Sequence, residues 1–250
     1  MIKSFNRILI LSKRNLKEII RDPISLIFII GLPLIMEILF YSIFHNMTSQ
    51  FEMKYLAPGI VVFSQTFLTL FIGQIISVDK NTSFLTRLYV SKAKPCEFII
   101  SYVFSLIPLV LIQNLLFFLI GVLFDSSLFK VEIIFCMLLS IITSLFYLFV
   151  GVLFGSLFNE KSVNGVSSII ISAHSVLSGM WFPIEGLSGV MVRIMNFLPF
   201  KNTTVLIQNT LNGYNNLYND LVKPLIIVLI YLVLTFILAI FTFKKQMKEN

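Results

Sequence analysis

Residues 98–124 read FIISYVFSLIPLVLIQNLLFFLIGVLF, a run of 27 with no charged side chain. A helix rises about 1.5 Å per residue, so this stretch is longer than the roughly 20 residues that cross a hydrocarbon core of about 30 Å. It is apolar on every face, which excludes a membrane barrel strand, where short segments alternate polar and apolar residues. Five further runs have comparable length: 24–44, 58–77, 131–158, 163–182 and 221–243. The expected fold is therefore an all-α integral membrane protein with six transmembrane helices.

Composition agrees with that reading. The chain of 250 residues is 57% hydrophobic and 12% charged, with 26 Phe and a mean hydropathy of +0.94, outside the usage of soluble domains. Lys13, Arg14, Lys17 and Arg21 interrupt the apolar residues before Ile24, so a cleavable signal peptide is not expected there. Cys96 and Cys136 are too few and too far apart for a disulfide framework or a metal centre.

Loop charge sets the orientation, because basic residues collect on the cytoplasmic side. Of the 19 Lys and Arg, the segment before the first run holds six, the loop after the second four, the loop after the fourth one and the C-terminal tail three. These 14 fall on one side, against Lys54, Lys130, Arg193, Lys201 and Lys223 on the other. With six spans both termini are expected in the cytoplasm of a multi-pass cell-membrane protein. The net charge of +7 then reflects topology and attraction to anionic lipid, and no soluble basic domain points to nucleic acid.

Two polar stretches are patterned rather than slack. Residues 3–21 place Phe5, Ile8, Leu9, Leu16, Ile19 and Ile20 at helical spacing with the basic residues largely on other faces, as in a helix lying in the interface plane. Asp22-Pro23 then starts a new helix, Asp capping its free N–H groups and Pro standing where no hydrogen bond is lost. Between the second and third runs, 79–95 has capping candidates in Asn81 and Thr82 and an apolar stripe of Phe84, Leu85, Leu88 and Tyr89, and Pro95 closes it. Such a short amphipathic helix either rests on the bilayer or inserts into a partner's groove. Beyond the fifth run, 183–200 is apolar but too short to cross, which suggests a re-entrant or interfacial outer segment; an outer loop anchored at the headgroups by Trp181 is the alternative.

Soluble-enzyme signatures are absent, including phosphate loops, zinc-protease motifs and nucleophile elbows. Catalysis is not expected of this chain. Glu37 is the only acid deep in a span, where an acid costs roughly 2.5–3.5 kcal/mol on insertion scales and often marks a pathway. Counting helical rise places Glu37 at ~20 Å depth, with His174, Gln113 and Asn114 at similar levels and Gln65 descending to the same layer. These five are candidates for the outward half of a substrate path, or for a hydrogen-bonded cluster that holds helices together. Gly151-x-x-x-Gly155 permits close helix approach, and Pro33 and Pro108 are positioned to bend their helices.

In order along the chain, Arg21-Asp22-Pro23, Tyr55-Leu-Ala-Pro-Gly59, Thr86-Arg-Leu-Tyr-Val-Ser91, Leu177-Ser-Gly-Met-Trp-Phe-Pro183 and Leu198-Pro-Phe200 resemble the permease of a type-2 ATP-binding-cassette exporter of the drug and antibiotic export branch. The resemblance implies one transmembrane domain over 1–250 that dimerises with a second copy or a similar permease and docks separate ATPase subunits. ATP and Mg would bind those partners and no cofactor would bind this chain. Residues 3–21 would be the interface helix and 79–95 the coupling helix, with Arg14, Arg21, Asp22, Phe84, Arg87 and Leu88 transmitting ATPase motion. Gly179, Trp181, Phe182, Pro183 and Pro199 would shape the outer re-entrant segment. The cargo would be hydrophobic or amphipathic and leave the cell. The competing expectation is a secondary carrier or channel without an ATPase; such carriers usually show internal repeats and several buried acids. Two departures from the family pattern stand out: Asp79-Lys-Asn-Thr-Ser precedes the arginine-leucine pair, and Gly186-Leu-Ser-Gly189 stands where a second proline is common.

Overall fold

The computed structural model describes residues 2–82, 94–182 and 187–249. All regular elements among them are helical, and five are long and apolar enough to cross a membrane. The run read at 163–182 is not one of the five. Its helix spans Glu160–Leu177, and its serines, Asn164 and His174 dilute the apolar character.

Helix α1 (Ile2–Ile20) has three faces. Ser12, Asn15 and Ile19 are buried; Phe5, Leu9 and Ile20 form an exposed apolar edge; and Lys13, Lys17 and the following Arg21 line an exposed basic side that also carries Ile10. Asp22 ends this helix and starts the next, its carboxylate accepting from the Ile24 N–H at 3.1 Å and from Ser25 Oγ. Pro23 opens α2 (Pro23–Phe44), which contains one π-helical turn at Ile27–Gly31. Pro33 brings no N–H to the Ile29 carbonyl four residues back. Gln113 Nε2, from another helix, donates to that carbonyl at 2.7 Å.

The same device recurs at α3 (Met53–Asn81). This helix starts five residues before Pro58, although the sequence places Pro58 at the start of its run. The interior proline is tolerated because Asn212 Nδ2 donates to the Lys54 carbonyl at 2.8 Å, and Gln208 Nε2 reaches the neighbouring Tyr55 carbonyl at 2.9 Å. Helix α3 is the centre of the bundle: 89% of its membrane window is buried, against 22% for α2.

Helix α4 (Pro95–Phe124) and helix α5 (Glu132–Leu157) pack on α3. At the α3–α5 crossing the backbones nearly touch. A Cβ on Gly151 would stand 2.5 Å from the Thr69 carbonyl oxygen, and one on Gly155 would stand 2.6 Å from the Gly73 carbonyl oxygen. Gly151-x-x-x-Gly155 thus serves packing within the chain, as small residues at helix contacts do in lipid.

Helix α6 (Glu160–Leu177) is capped by Asn159 and ends at Gly179, whose positive φ of 71° suits a residue without Cβ. Two helices then form a hairpin: α7 (Gly189–Phe197), capped by Ser188, and α8 (Pro199–Asn212). Asn202 Nδ2 pins the corner through the Asn196 and Leu198 carbonyls. The second helix carries the outer segment read at 183–200 further, to Asn212. A π-turn at Tyr218–Val222 leads into α9 (Lys223–Glu249), where Asn209 Nδ2 donates to the Asp220 carbonyl, four residues before Pro224.

The two ends of the bundle differ. The hairpin lies beside the start of α3. At the other end α1, the last turn of α3 and the first of α4 meet, and Lys80 Nζ caps the C-terminus of α5 through the Ser156 and Phe158 carbonyls, 3.1 Å each. Gln246 of α9 also reaches the Ser156 carbonyl, so both terminal helices finish at this end.

Candidate functional site

Asp79 lies in the last turns of α3 and is 1% exposed. A buried carboxylate persists only when paired and hydrogen-bonded, and here three groups converge on it. Arg14 of α1 approaches in a fork, Nη1 to Oδ2 at 2.5 Å and Nη2 to Oδ1 at 2.6 Å, and Tyr102 of α4 donates its hydroxyl to Oδ2 at 2.6 Å. The bidentate geometry fixes angle as well as distance. These bonds hold the Arg14 guanidinium above its usual pKa. Glu18, one turn further along α1, pairs with Arg14 at 3.1 Å; burial pushes its carboxyl upward, the Asp79 charge adds to this and Arg14 opposes it.

Helix α1 has further polar attachments to α4. Glu97 accepts from Ser4 Oγ and lies 3.4 Å from Arg7, and Ser12 Oγ donates to the Ser101 carbonyl at 2.9 Å. Of the residues expected to transmit partner motion, Arg14 is thus central to a polar joint, Arg21 is exposed on the basic side, and Asp22 uses its carboxylate as a helix cap. Phe84, Arg87 and Leu88, with residues 83–93 of the 79–95 segment, lie outside the described residues, as do Pro183 and residues 184–186. Sequence alone does not mark Tyr102, and it marks Asp79 only as the first residue of the 79–95 segment. The signal available was an acid closing a long apolar run opposite a basic helix.

The five polar residues expected near mid-bilayer are all fully buried. Gln65 accepts from Thr143 Oγ1 at 2.8 Å and donates to the Ser140 carbonyl at 3.1 Å, and Asn114 donates to Ser140 Oγ. Gln113 serves the Ile29 carbonyl. His174 stands apart: its Nδ1 pairs with the Tyr147 hydroxyl at 2.8 Å, Tyr147 also meets Thr203 Oγ1 at 3.2 Å, and Phe63 and Phe200 flank the ring. Glu37 is enclosed near Gly121 of α4, its Oε1 standing 3.9 Å from where a Cβ on that glycine would be, and neither carboxyl oxygen has a hydrogen-bond partner among the described residues. The structure therefore brings Gln65 and Asn114 together and leaves Glu37, Gln113 and His174 in separate places.

At the hairpin end Trp181 sits edge-on to Phe40 with centroids 4.7 Å apart and contacts Phe51 and Phe63. Phe182 is half-buried, and Pro199 opens α8 as its first residue. On the flank of the bundle α6 exposes Asn164, Gly165, Ser168 and Ser172, and Gln74 of α3 donates to Asn164 Oδ1 at 2.7 Å.

The described residues form an all-helical bundle in which a basic helix is tied to α3 and α4 and a helical hairpin lies at the far end, with five helices long and apolar enough to cross a membrane, the arrangement of a multi-pass membrane protein. The family model for the ABC-2 type transporter matches residues 6–212, from α1 through the end of α8, and the chain belongs to that family. Comparison with curated proteins gives no match. Membership makes the chain the membrane-spanning permease subunit of an ATP-binding-cassette transporter, a class that associates with an ATP-binding subunit and with lipid.

Proposed function

We propose that this permease exports a hydrophobic or amphipathic cargo from the cell, driven by ATP hydrolysis on a separate subunit that also holds the Mg. The observation that carries the reading is the joint at the α1 end, where a basic helix is fastened through Asp79 to the two helices that flank residues 83–93. A permease without an ATP site needs an attachment through which partner closure reaches the spans, and nucleotide shifts the equilibrium only if the partner holds one conformation better. Arg14, Arg21, Asp22, Phe84, Arg87 and Leu88 form the proposed docking and coupling set.

Both terminal helices finish at the α1 end, which supports six crossings with α6 as the fifth and both termini in the cytoplasm. The exposed Asn164, Ser168 and Ser172 of α6 are costly against lipid and suit a protein or aqueous neighbour. A second copy meeting this face would cover them. Helix-to-helix bonds support a packing role for Gln65, Gln113 and Asn114, although Gln113 Oε1 and Asn114 Oδ1, like His174 Nε2, keep no partner among the described residues; Glu37, with neither carboxyl oxygen partnered there, and His174 are the proposed path residues. Gly179, Trp181, Phe182, Pro183 and Pro199 belong to the proposed outer re-entrant segment.

The reading is tested in inverted membrane vesicles containing the permease with its ATPase, by following uptake of a fluorescent amphipathic dye. Uptake is expected to need Mg-ATP and to stop with vanadate. Dye movement driven equally well by an ion gradient without nucleotide would replace the exporter with a carrier.

A further inference from the structure

We infer that Asp79 is a positioning residue: its clasp on Arg14 and Tyr102 makes α1, the end of α3 and the start of α4 one rigid body, which delivers displacement at that end to α2. The inference rests on the proposed ATP-driven function and names the load path within it.

Stability alone does not account for the clasp. A well-packed apolar trio in place of a buried ion pair is often as stable or more so, whereas a forked guanidinium-carboxylate contact adds directional constraint. Asp79 sits two residues before the end of α3, and Tyr102 lies two turns into α4, so the carboxylate ties together the helices on both sides of residues 83–93. Arg14 adds α1 to the same group. The Ser4, Arg7 and Ser12 contacts to α4 hold α1 at further points, so it is fastened along its length rather than at one point.

The exit from this body is short and stiff. Only Arg21 and Asp22 separate α1 from α2; their N–H groups bond back to the Lys17 and Ile19 carbonyls, and the Asp22 carboxylate bonds forward to Ile24 and Ser25. A rotation of α1 must therefore turn the base of α2. Helix α2 can respond, since only 22% of its membrane window is buried and a π-turn lies one turn above its base. Hinges of this kind absorb backbone change at element boundaries.

The test uses the assembled complex of permease and ATPase in lipid, in a Cys96→Ser, Cys136→Ser background. Spin labels at Ile24→Cys, at the base of α2, and Leu157→Cys, at the end of α5, report distance; both native side chains are exposed. Adding Mg-ATP and vanadate is expected to shift the distance distribution of the parent. Asp79→Asn is expected to lose that shift while nucleotide hydrolysis continues, and the charge swap Arg14→Asp with Asp79→Arg to recover part of it. Tyr102→Phe removes one hydroxyl; it is expected to weaken the shift, and it decides the matter if Asp79→Asn does not assemble. A purely structural clasp would lower the melting temperature of Asp79→Asn and Tyr102→Phe yet leave the parental shift in the folded complexes, which would overturn the inference. A parent complex that assembles but neither hydrolyses ATP nor shifts would overturn the ATP-driven reading, and this inference with it.

Discussion

The carbonyl of Ile29 accepts a hydrogen bond from Gln113 Nε2 at 2.7 Å, across the interface between α2 and α4. Pro33 explains the need: it removes the N–H that a helix would offer this carbonyl, and in lipid no water replaces it. The relationship makes Gln113 a backbone surrogate. Gln113→Leu is expected to destabilise the permease by about 1 kcal/mol, the scale of interhelical bonds in membranes. Adding Pro33→Ala should return part of that loss. A double-mutant cycle read by thermal unfolding in detergent checks the coupling; strictly additive effects would show that the two residues act independently.

Asn212 performs the same service for Lys54, opposite Pro58. Asn212→Ala should cost about 1 kcal/mol as well and should raise amide exchange around residues 54–58 and in the last turn of α8. Hydrogen exchange measured by mass spectrometry locates the change; protection unchanged at both places would contradict the pairing.

The α3–α5 crossing leaves no room for a methyl group. Gly151→Ala would put a Cβ 2.2 Å from Ile72 Cγ2, and Gly155→Ala would put one 2.8 Å from Ile72's neighbour on the next turn, Ile76 Cβ. Each is expected to cost about 1–3 kcal/mol through forced separation of the helices. Gly165→Ala, with nothing within 4 Å of its Cβ among the described residues, is the control and should leave monomer stability unchanged or slightly raised. Melting temperatures of the three purified variants give the comparison.

Glu37→Gln keeps the shape of the side chain and removes the ionisable group. Because neither carboxyl oxygen has a partner to lose among the described residues, stability should be equal or higher, while dye uptake should fall if the acid lies on the path. His174→Ala separates path from packing in the opposite way, since it strips Tyr147 of its 2.8 Å bond and should lower stability. Full uptake in both variants would remove them from the path.

Some of this architecture is written locally in the chain. Crossing lipid demands an unbroken apolar run, so Phe98–Phe124 is plain to read, and Asp22-Pro23 marks a helix start because cap and proline act within one turn. What escapes is whatever depends on distant partners. Pro58 reads as a helix start because the residue that satisfies the Lys54 carbonyl is Asn212, 158 positions away. Helix α8 runs past the outer segment read at 183–200 because Asn202, Thr203, Thr204 and Gln208, polar in sequence, are mostly buried against other helices of the bundle. Asp79 gives no local sign of its clasp, since Arg14 and Tyr102 come to it from separate helices.

The glycine crossing also limits which motions the permease can make. With the Gly155 backbone against the Gly73 carbonyl, sliding α5 along α3 by one turn would drive Ile72 or Ile76 into the opposing main chain. Helices α3 and α5 are therefore locked in register at this contact, while the least covered of the five membrane-length helices are α2 and α9, of whose membrane windows only 22% and 11% are buried.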